Sequence, residues 1–181
     1  MDPWAFDDDE VDAKDLISGK QVADDYSVWC FGKNKDGELG LRHNRNVNSP
    51  EPLKALNEKA ITHISSGGSH SAVVDSEGRL YVCGSSLHGK LGLEKLSKVA
   101  ISNFVLFPPS NKKAVLQVEC GDYHTLALLE DGKVCSWGGT LHKKLGNKGS
   151  TPSILTGIGN ARIVKIGCGD FHSAALNGKP A

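Results

Sequence analysis

Cys120-Gly121-Asp122-Tyr123-His124-Thr125-Leu126-Ala127-Leu128 returns almost letter for letter as Cys168-Gly169-Asp170-Phe171-His172-Ser173-Ala174-Ala175-Leu176. A looser copy runs Ser66-Gly67-Gly68-Ser69-His70-Ser71-Ala72-Val73-Val74. Behind the segments at 120–128 and 66–74 come a turn (Glu130-Asp131-Gly132, Glu77-Gly78) and a second apolar run (Val134-Cys135-Ser136-Trp137-Gly138, Tyr81-Val82-Cys83-Gly84). Val28-Trp29-Cys30-Phe31-Gly32 copies that second run alone. Each complete copy reads as strand, tight turn, strand. A repeated unit of this kind buries its apolar face on its neighbours, so repetition dictates the architecture before any other feature.

The period follows by subtraction. His70, His124 and His172 lie 54 and 48 residues apart, and Gly32, Gly84 and Gly138 lie 52 and 54 apart. A Leu-Gly pair ends eight residues past each of those glycines, at Gly40, Gly92 and Gly146. His70 to Gly84 and His124 to Gly138 both span 14 residues. Constant offsets inside the unit and variable ones between units mean fixed modules joined by loops of different length. A repeat of about fifty residues built of short strands points to a propeller blade.

These segments resemble the regulator of chromosome condensation family. Its repeat runs Cys-Gly-x-x-His-Ser-x-Ala-Leu, an Asp-Gly turn, Val-Tyr-x-Trp-Gly, an Asn- and Gly-containing loop and Gln-Leu-Gly. The likeness covers residues 28 to 176. It implies an all-β fold, a partial β-propeller of about three blade-like repeats in a family that closes at seven four-stranded blades. The repeat positions are Gly67, His70, Gly84, Gly92, Gly121, His124, Trp137, Gly138, Gly146, Gly169 and His172.

The formal charge is zero but unevenly placed. Residues 1–25 hold nine acids against Lys14 and Lys20, a net of −7, and the remainder carries +7. Neither value by itself makes a nucleic-acid protein. Asp7-Asp8-Asp9-Glu10 repels itself and buries little, so residues 1–25 are expected to form a disordered acidic tail. Trp4 and Phe6 beside it suit a groove on a basic partner, or this chain's own basic body. Five cysteines, an odd number, and the lack of a secretory h-region imply reduced thiols in the cytoplasm and/or nucleus. No apolar run approaches the length of a membrane span.

Residues 26–181 divide into a half repeat with its connector (28–60), a repeat (61–114), a second repeat (115–162) and a further half (163–181). Val28 and Cys30 alternate with Trp29 and Phe31, and both sets are apolar, so both faces of that strand are expected to be covered. Ser49-Pro50-Glu51-Pro52 suits an outer or connecting segment. Residues 94–114 and 147–162 read as connectors. Hairpin turns are expected at Asp75–Gly78 and Glu130–Gly132, and Gly67-Gly68 should allow a close approach near a crowded centre. With half a unit at each end, either the chain is the amino-terminal part of a longer propeller, or its open edges, residues 28–32 and 163–176, meet those of other copies.

Cys120 with His124 and Cys168 with His172 have the look of metal-ligand pairs, but each pair sits on a different unit and zinc needs four converging ligands. The expected role is structural, His bonding to a neighbouring turn and Cys filling an apolar gap. A Cys–His nucleophile lacks an orienting third group. Gly67-Gly68 and Gly157-Ile158-Gly159 are followed by no Gly-Lys-Ser/Thr, so they are not phosphate loops. Asp36, Asp122, Asp131 and Asp170 are turn acids. No catalytic residue, metal or cofactor is expected.

The loops after the second strands carry the candidate binding residues. Lys90 and Lys144 replace the family glutamine and Lys143 replaces a glycine, which puts strain on the tight loop of that copy. His88 with Lys90, and His142 with Lys143 and Lys144, would form a basic rim if the units stack in register. Lys33 and Lys35 occupy the corresponding loop of the first half unit.

The resemblance implies a non-enzymatic interaction scaffold, found alone or joined to kinase, ubiquitin-ligase or signalling domains, that binds protein partners through loops on the blade faces. The alternative it implies is guanine-nucleotide exchange on a Ran-like small GTPase, with chromatin binding beside it. Light sensing by clustered tryptophans is rejected, because Trp29 and Trp137 read as equivalent positions in separate units.

Overall fold

The structure, a computed structural model, describes residues 28–93, 100–107, 113–147 and 150–178. The expected acidic tail lies outside the described residues. Twelve strands follow one another: β1 (Trp29–Gly32), β2 (Val47–Pro52), β3 (Ile61–Ser66), β4 (His70–Asp75), β5 (Leu80–Ser85), β6 (Ala100–Leu106), β7 (Val115–Cys120), β8 (His124–Leu129), β9 (Val134–Gly138), β10 (Ser153–Ile154), β11 (Ile163–Cys168) and β12 (Ser173–Asn177). Single 3-10 turns occur at Lys54–Leu56, Leu87–Gly89 and Leu141–Lys143.

The strands form four antiparallel sheets. β3-β4-β5-β6 and β7-β8-β9-β10 are complete four-stranded blades, and β1-β2 and β11-β12 are two-stranded halves. The fold is the expected all-β partial propeller. Both predicted hairpins are present: Gly78 N–H bonds the Asp75 carbonyl at 2.9 Å, and Gly132 N–H bonds the Leu129 carbonyl at 2.9 Å.

The middle strands explain the strength of the repeat. Every residue of β4, β5, β8 and β9 is buried, because blades cover both faces of each sheet. Strands covered on both sides read as continuous apolar runs. One core lies between the two complete blades and includes Val74, Val82, Phe107, Val118, Ala127 and Trp137. Two smaller cores hold the half blades, through Leu53, Leu56, Val73 and Tyr81 on one side and Leu126, Leu128, Ile163 and Ile166 on the other.

The constant 14-residue spacing is a strand register. His70 pairs with Gly84 and His124 with Gly138. Gly84 and Gly138 take φ of 103° and 111°, and a Cβ on either would lie 2.5 Å from a carbonyl oxygen of the paired turn. At the crowded inner end, a Cβ on Gly67 would fall 2.0 Å from the Gly121 carbonyl oxygen, and one on Gly121 would fall 2.6 Å from that of Gly169. Only glycine allows blades to close on one another there.

Three expectations change. The connectors 94–114 and 147–162 carry the outer strands β6 and β10, which stand at the open edge of their sheets and are only partly buried, so they lack the continuous apolar run of the inner strands. On β1 the Val28 and Cys30 side packs into the core, but Trp29 is 55 % exposed and Phe31 63 %. No strand among the described residues lies against that face. Trp29 and Trp137 are not equivalent either. Counted from the strand-ending glycine, Trp137 matches Phe31 and Cys83, whereas Trp29 matches Tyr81 and Cys135. Trp137 is fully buried, stacked on Phe107 at 4.8 Å, with its Nε1–H donating to the Lys90 carbonyl at 2.9 Å.

Candidate protein-interaction face

The repeat histidines join one blade to the next. His70 Nε2 meets Thr125 Oγ1 at 2.8 Å, and Thr125 Oγ1 donates to the Lys90 carbonyl at 2.8 Å. His124 Nε2 meets Ser173 Oγ at 2.9 Å, and Ser173 donates to the Lys144 carbonyl at 2.7 Å. A hydroxyl has one proton. Since the carbonyl receives it, the imidazole must donate from Nε2, which fixes the tautomer. Nδ1 of each ring is then the unprotonated nitrogen, buried without a hydrogen-bond partner. Desolvation, followed by the Lys90 charge and His124, holds the His70 pKa at about 3. Desolvation, followed by the Lys144 charge, holds that of His124 at about 4. Both rings are neutral near pH 7.

The histidine therefore bonds a hydroxyl of the next blade, not a neighbouring turn. The hydroxyl stands one residue past that blade's own histidine position, in Ser71, Thr125 and Ser173. Ser71 repeats the outgoing half of the relay, donating to the Glu38 carbonyl at 2.7 Å. His172, on the half blade β11-β12, is exposed. Cys120 is buried, and burial pushes its thiol pKa well up. Among the described residues no three His, Cys, Asp or Glu side chains converge as metal ligands would.

The three accepting carbonyls belong to one loop position. Glu38, Lys90 and Lys144 each stand two residues before the Leu-Gly glycine, and all three are buried. Glu38 pairs with Lys33 at 3.4 Å and accepts the Asp36 N–H at 2.7 Å. Lys90 Nζ donates to Ser69 Oγ and to the Asp122 carbonyl. Lys144 Nζ donates to the Leu141 carbonyl at 2.8 Å. Each lysine has its pKa lowered, by desolvation first. The loops bend through left-handed residues, His88 (φ 63°) and Gly89 (φ 74°) in one, His142 (φ 63°) and Lys143 (φ 57°) in the other. Lys143 thus keeps the geometry of the glycine it replaces, at a steric cost.

Above these lysines lies an aromatic surface. The residue before each repeat histidine is Ser69, Tyr123 or Phe171. The Tyr123 and Phe171 rings stack at 5.7 Å. His88 meets Tyr123 edge-on at 5.2 Å, and His142 meets Phe171 edge-on at 5.3 Å. Lys90 Nζ sits 5.6 Å from the Tyr123 ring centre. With Thr140, Leu141, Lys144 and Ser150 the four rings line a concavity of about 480 Å³. Leu141 is 71 % exposed, Phe171 45 % and Tyr123 37 %. Exposed apolar groups of this kind, ringed by polar ones, are what a protein interface uses.

The structure brings His88, His142, Lys90 and Lys144 to this surface, the histidines at its rim and the lysines beneath it. Lys143 is exposed on the same loop. Lys33 and Lys35 lie in the loop of the first half blade and do not line the concavity; Lys33 is held by Asp36 and Glu38. Tyr123, Phe171 and Leu141 were not among the expected binding residues. For Tyr123 and Phe171 a signal was present: an aromatic residue precedes the repeat histidine in both copies, where the first copy has Ser69.

A propeller whose consecutive blades are clasped by a Gly-x-x-His segment and a Leu-Gly loop defines a class, and comparison with known proteins names it. The chain matches the Regulator of chromosome condensation (RCC1) repeat over residues 25–74 and 131–176 in one form and 61–90 and 115–140 in another. It belongs to that family. Human "Probable E3 ubiquitin-protein ligase HERC6" is 30 % identical over 157 residues, covering 84 % of this chain and 15 % of that protein. The bovine (Bos taurus) "Secretion-regulating guanine nucleotide exchange factor" is 36 % identical over 133 residues, 71 % of this chain and 28 % of that protein. Among solved structures, Prp20p of Saccharomyces cerevisiae superposes with a TM-score of 0.73 at 21 % identity, covering 86 % of this chain and 40 % of that one. The chain therefore spans less than half the length of these relatives.

Proposed function

We propose that the chain is a non-enzymatic docking platform that binds a protein partner through the Tyr123–Phe171 concavity. The observation that carries this reading is the exposure of Tyr123, Phe171 and Leu141 on loops fixed by the blade joints. Loops on a rigid scaffold are where binding concentrates. The side chains with catalytic potential have structural work instead: His70 and His124 clasp blades, and Cys83 and Cys120 are buried. All five cysteines are free thiols, in keeping with a cytoplasmic or nuclear setting. The test places a photo-crosslinking residue at Leu141 in cells and, as a control, at Asn48 on β2. A partner captured from Leu141 alone should bind the purified chain, and Tyr123→Ala or Phe171→Ala should weaken it about tenfold or more. Equal capture from Asn48, or unchanged binding by both variants, would overturn the reading.

Guanine-nucleotide exchange on a Ran-like small GTPase is the second reading, supported by the name of the bovine relative. Release of labelled GDP from a panel of such GTPases, with the chain in catalytic amount, separates the two. Acceleration of about tenfold or more establishes exchange; a captured partner without acceleration leaves the platform alone. Chromatin binding belongs with the exchange reading and would appear as retention on nucleosomes.

A further inference from the structure

We infer that the segment Trp4-Ala5-Phe6-Asp7-Asp8-Asp9-Glu10 docks in the Tyr123–Phe171 concavity and masks it, with a carboxylate of the acidic block pairing to Lys144. The inference rests on the reading of that concavity as a docking surface.

Lys144 carries the argument. It is only 5 % exposed, yet it lines the concavity. Of its three N–H donors, one goes to the Leu141 carbonyl at 2.8 Å. The charge otherwise faces ring surfaces, Tyr123 at 5.7 Å and Phe171 at 6.0 Å. No carboxylate among the described residues lies within 4.0 Å of it, although Asp122 and Asp170 flank the two rings. An ammonium that opens onto the concavity with one oxygen acceptor and two ring faces around it has donors to spare, so a carboxylate brought from outside gains charge-assisted hydrogen bonds that the blades do not supply. Lys90, one blade earlier, differs: it has two oxygen acceptors, Ser69 Oγ and the Asp122 carbonyl.

The occupant must combine a carboxylate with an adjacent apolar group, because the walls of the site are Tyr123, Leu141, His142 and Phe171. Trp4 and Phe6 stand directly before four consecutive acids. The charges are complementary over a wider range, −7 in residues 1–25 against +7 in the rest. Reach is sufficient. Seventeen residues separate Glu10 from Val28. Extended, they span about 60 Å, against a diameter of about 40 Å for a compact body of this size.

The experiment puts a benzophenone amino acid in place of Phe6 in the full chain and maps the crosslinks by mass spectrometry. The expected products are intramolecular, within residues 139–147 and 169–173. Their yield should fall about fivefold or more when Asp7, Asp8 and Asp9 become Asn and Glu10 becomes Gln, a change that leaves the blades untouched. Lys144→Met, which removes the charge and keeps the volume, should have the same effect; circular dichroism verifies that this variant is folded. Crosslinks scattered over the blades, crosslinks only between chains, or yields that ignore the acids overturn the inference. If the Leu141 crosslinker still captures a partner while Phe6 shows no such crosslink, docking stands and masking falls.

Discussion

His70 and Thr125 lie on different blades, and their side chains meet at 2.8 Å with no solvent access to either. Thr125 is the centre of that joint, because it accepts from one blade's imidazole and donates to the same blade's Lys90 carbonyl. Thr125→Val keeps the shape and removes both bonds. The Lys90 carbonyl retains the Trp137 N–H, so the stranded group is mainly the His70 Nε2–H. The expected loss is about 2 kcal/mol, that of one buried unsatisfied donor. Thr125→Ser, which keeps the hydroxyl and loses one buried methyl, should cost about 1 kcal/mol. Urea midpoints read both.

The two buried rings also make the fold sensitive to acid. Their folded pKa values, about 3 for His70 and about 4 for His124, lie below the unfolded value of 6.5, so the unfolded chain takes up protons first. Their effect on stability is absent above pH 6.5 and grows as the pH falls from there toward 4. At pH 5 the linkage amounts to about 2 kcal/mol per histidine. Denaturation at pH 7.5 and pH 5 should show that drop, and replacing His124 with Gln should remove about half of the pH dependence.

Lys143 stands in a left-handed backbone conformation where the preceding repeat has Gly89. Lys143→Gly should raise stability by up to about 1 kcal/mol, because glycine carries no steric penalty there. The reciprocal change, Gly89→Lys, should cost a similar amount. Thermal midpoints of the two variants should move in opposite directions.

The half blades predict self-association. All five residues of β12 are exposed, whereas every residue of its equivalents β4 and β8 is buried. β1 is similarly bare beside β5 and β9. The register that sets His70 against Gly84 would set His172 of one copy against Gly32 of another, and Ala174 against Cys30. The 181-residue chain should therefore self-associate at micromolar concentration by light scattering. Ala174→Cys should yield an interchain disulfide under mild oxidation that Cys30→Ser abolishes. A stable monomer that forms no such bond counts against the pairing.

The joints were legible in the sequence because repetition marks them. Gly67, His70, Gly84 and Gly92 recur at fixed offsets since each fills a crowded place: Gly67 against the Gly121 carbonyl of the next blade, His70 against that blade's Thr125 hydroxyl, Gly84 against the Ser69 carbonyl of its own hairpin, and Gly92 against the rings of Phe107 and Trp137. The outer strands β6 and β10 were hidden, because a partly buried strand at the edge of its sheet tolerates many residues and loses its pattern. The candidate face was half legible. Lys90 and Lys144 drew attention as departures from the repeat, but lysine is seldom buried, so they read as surface charge. Tyr123 and Phe171 were not legible because their position, Ser69 in the first copy, is not held fixed by the blade joint.

The relay has a direction. The Thr125 and Ser173 hydroxyls are each gripped by an imidazole and a loop carbonyl that both belong to the preceding blade, so a blade is latched by its predecessor rather than by its successor. Coupling of this kind runs only between nearest neighbours. Pulled from its carboxy-terminal side, the array would come apart like a row of identical hooks: first Ser173 drawn out from between His124 and Lys144, then Thr125 from between His70 and Lys90. The molecule would yield in separate steps, one joint at a time.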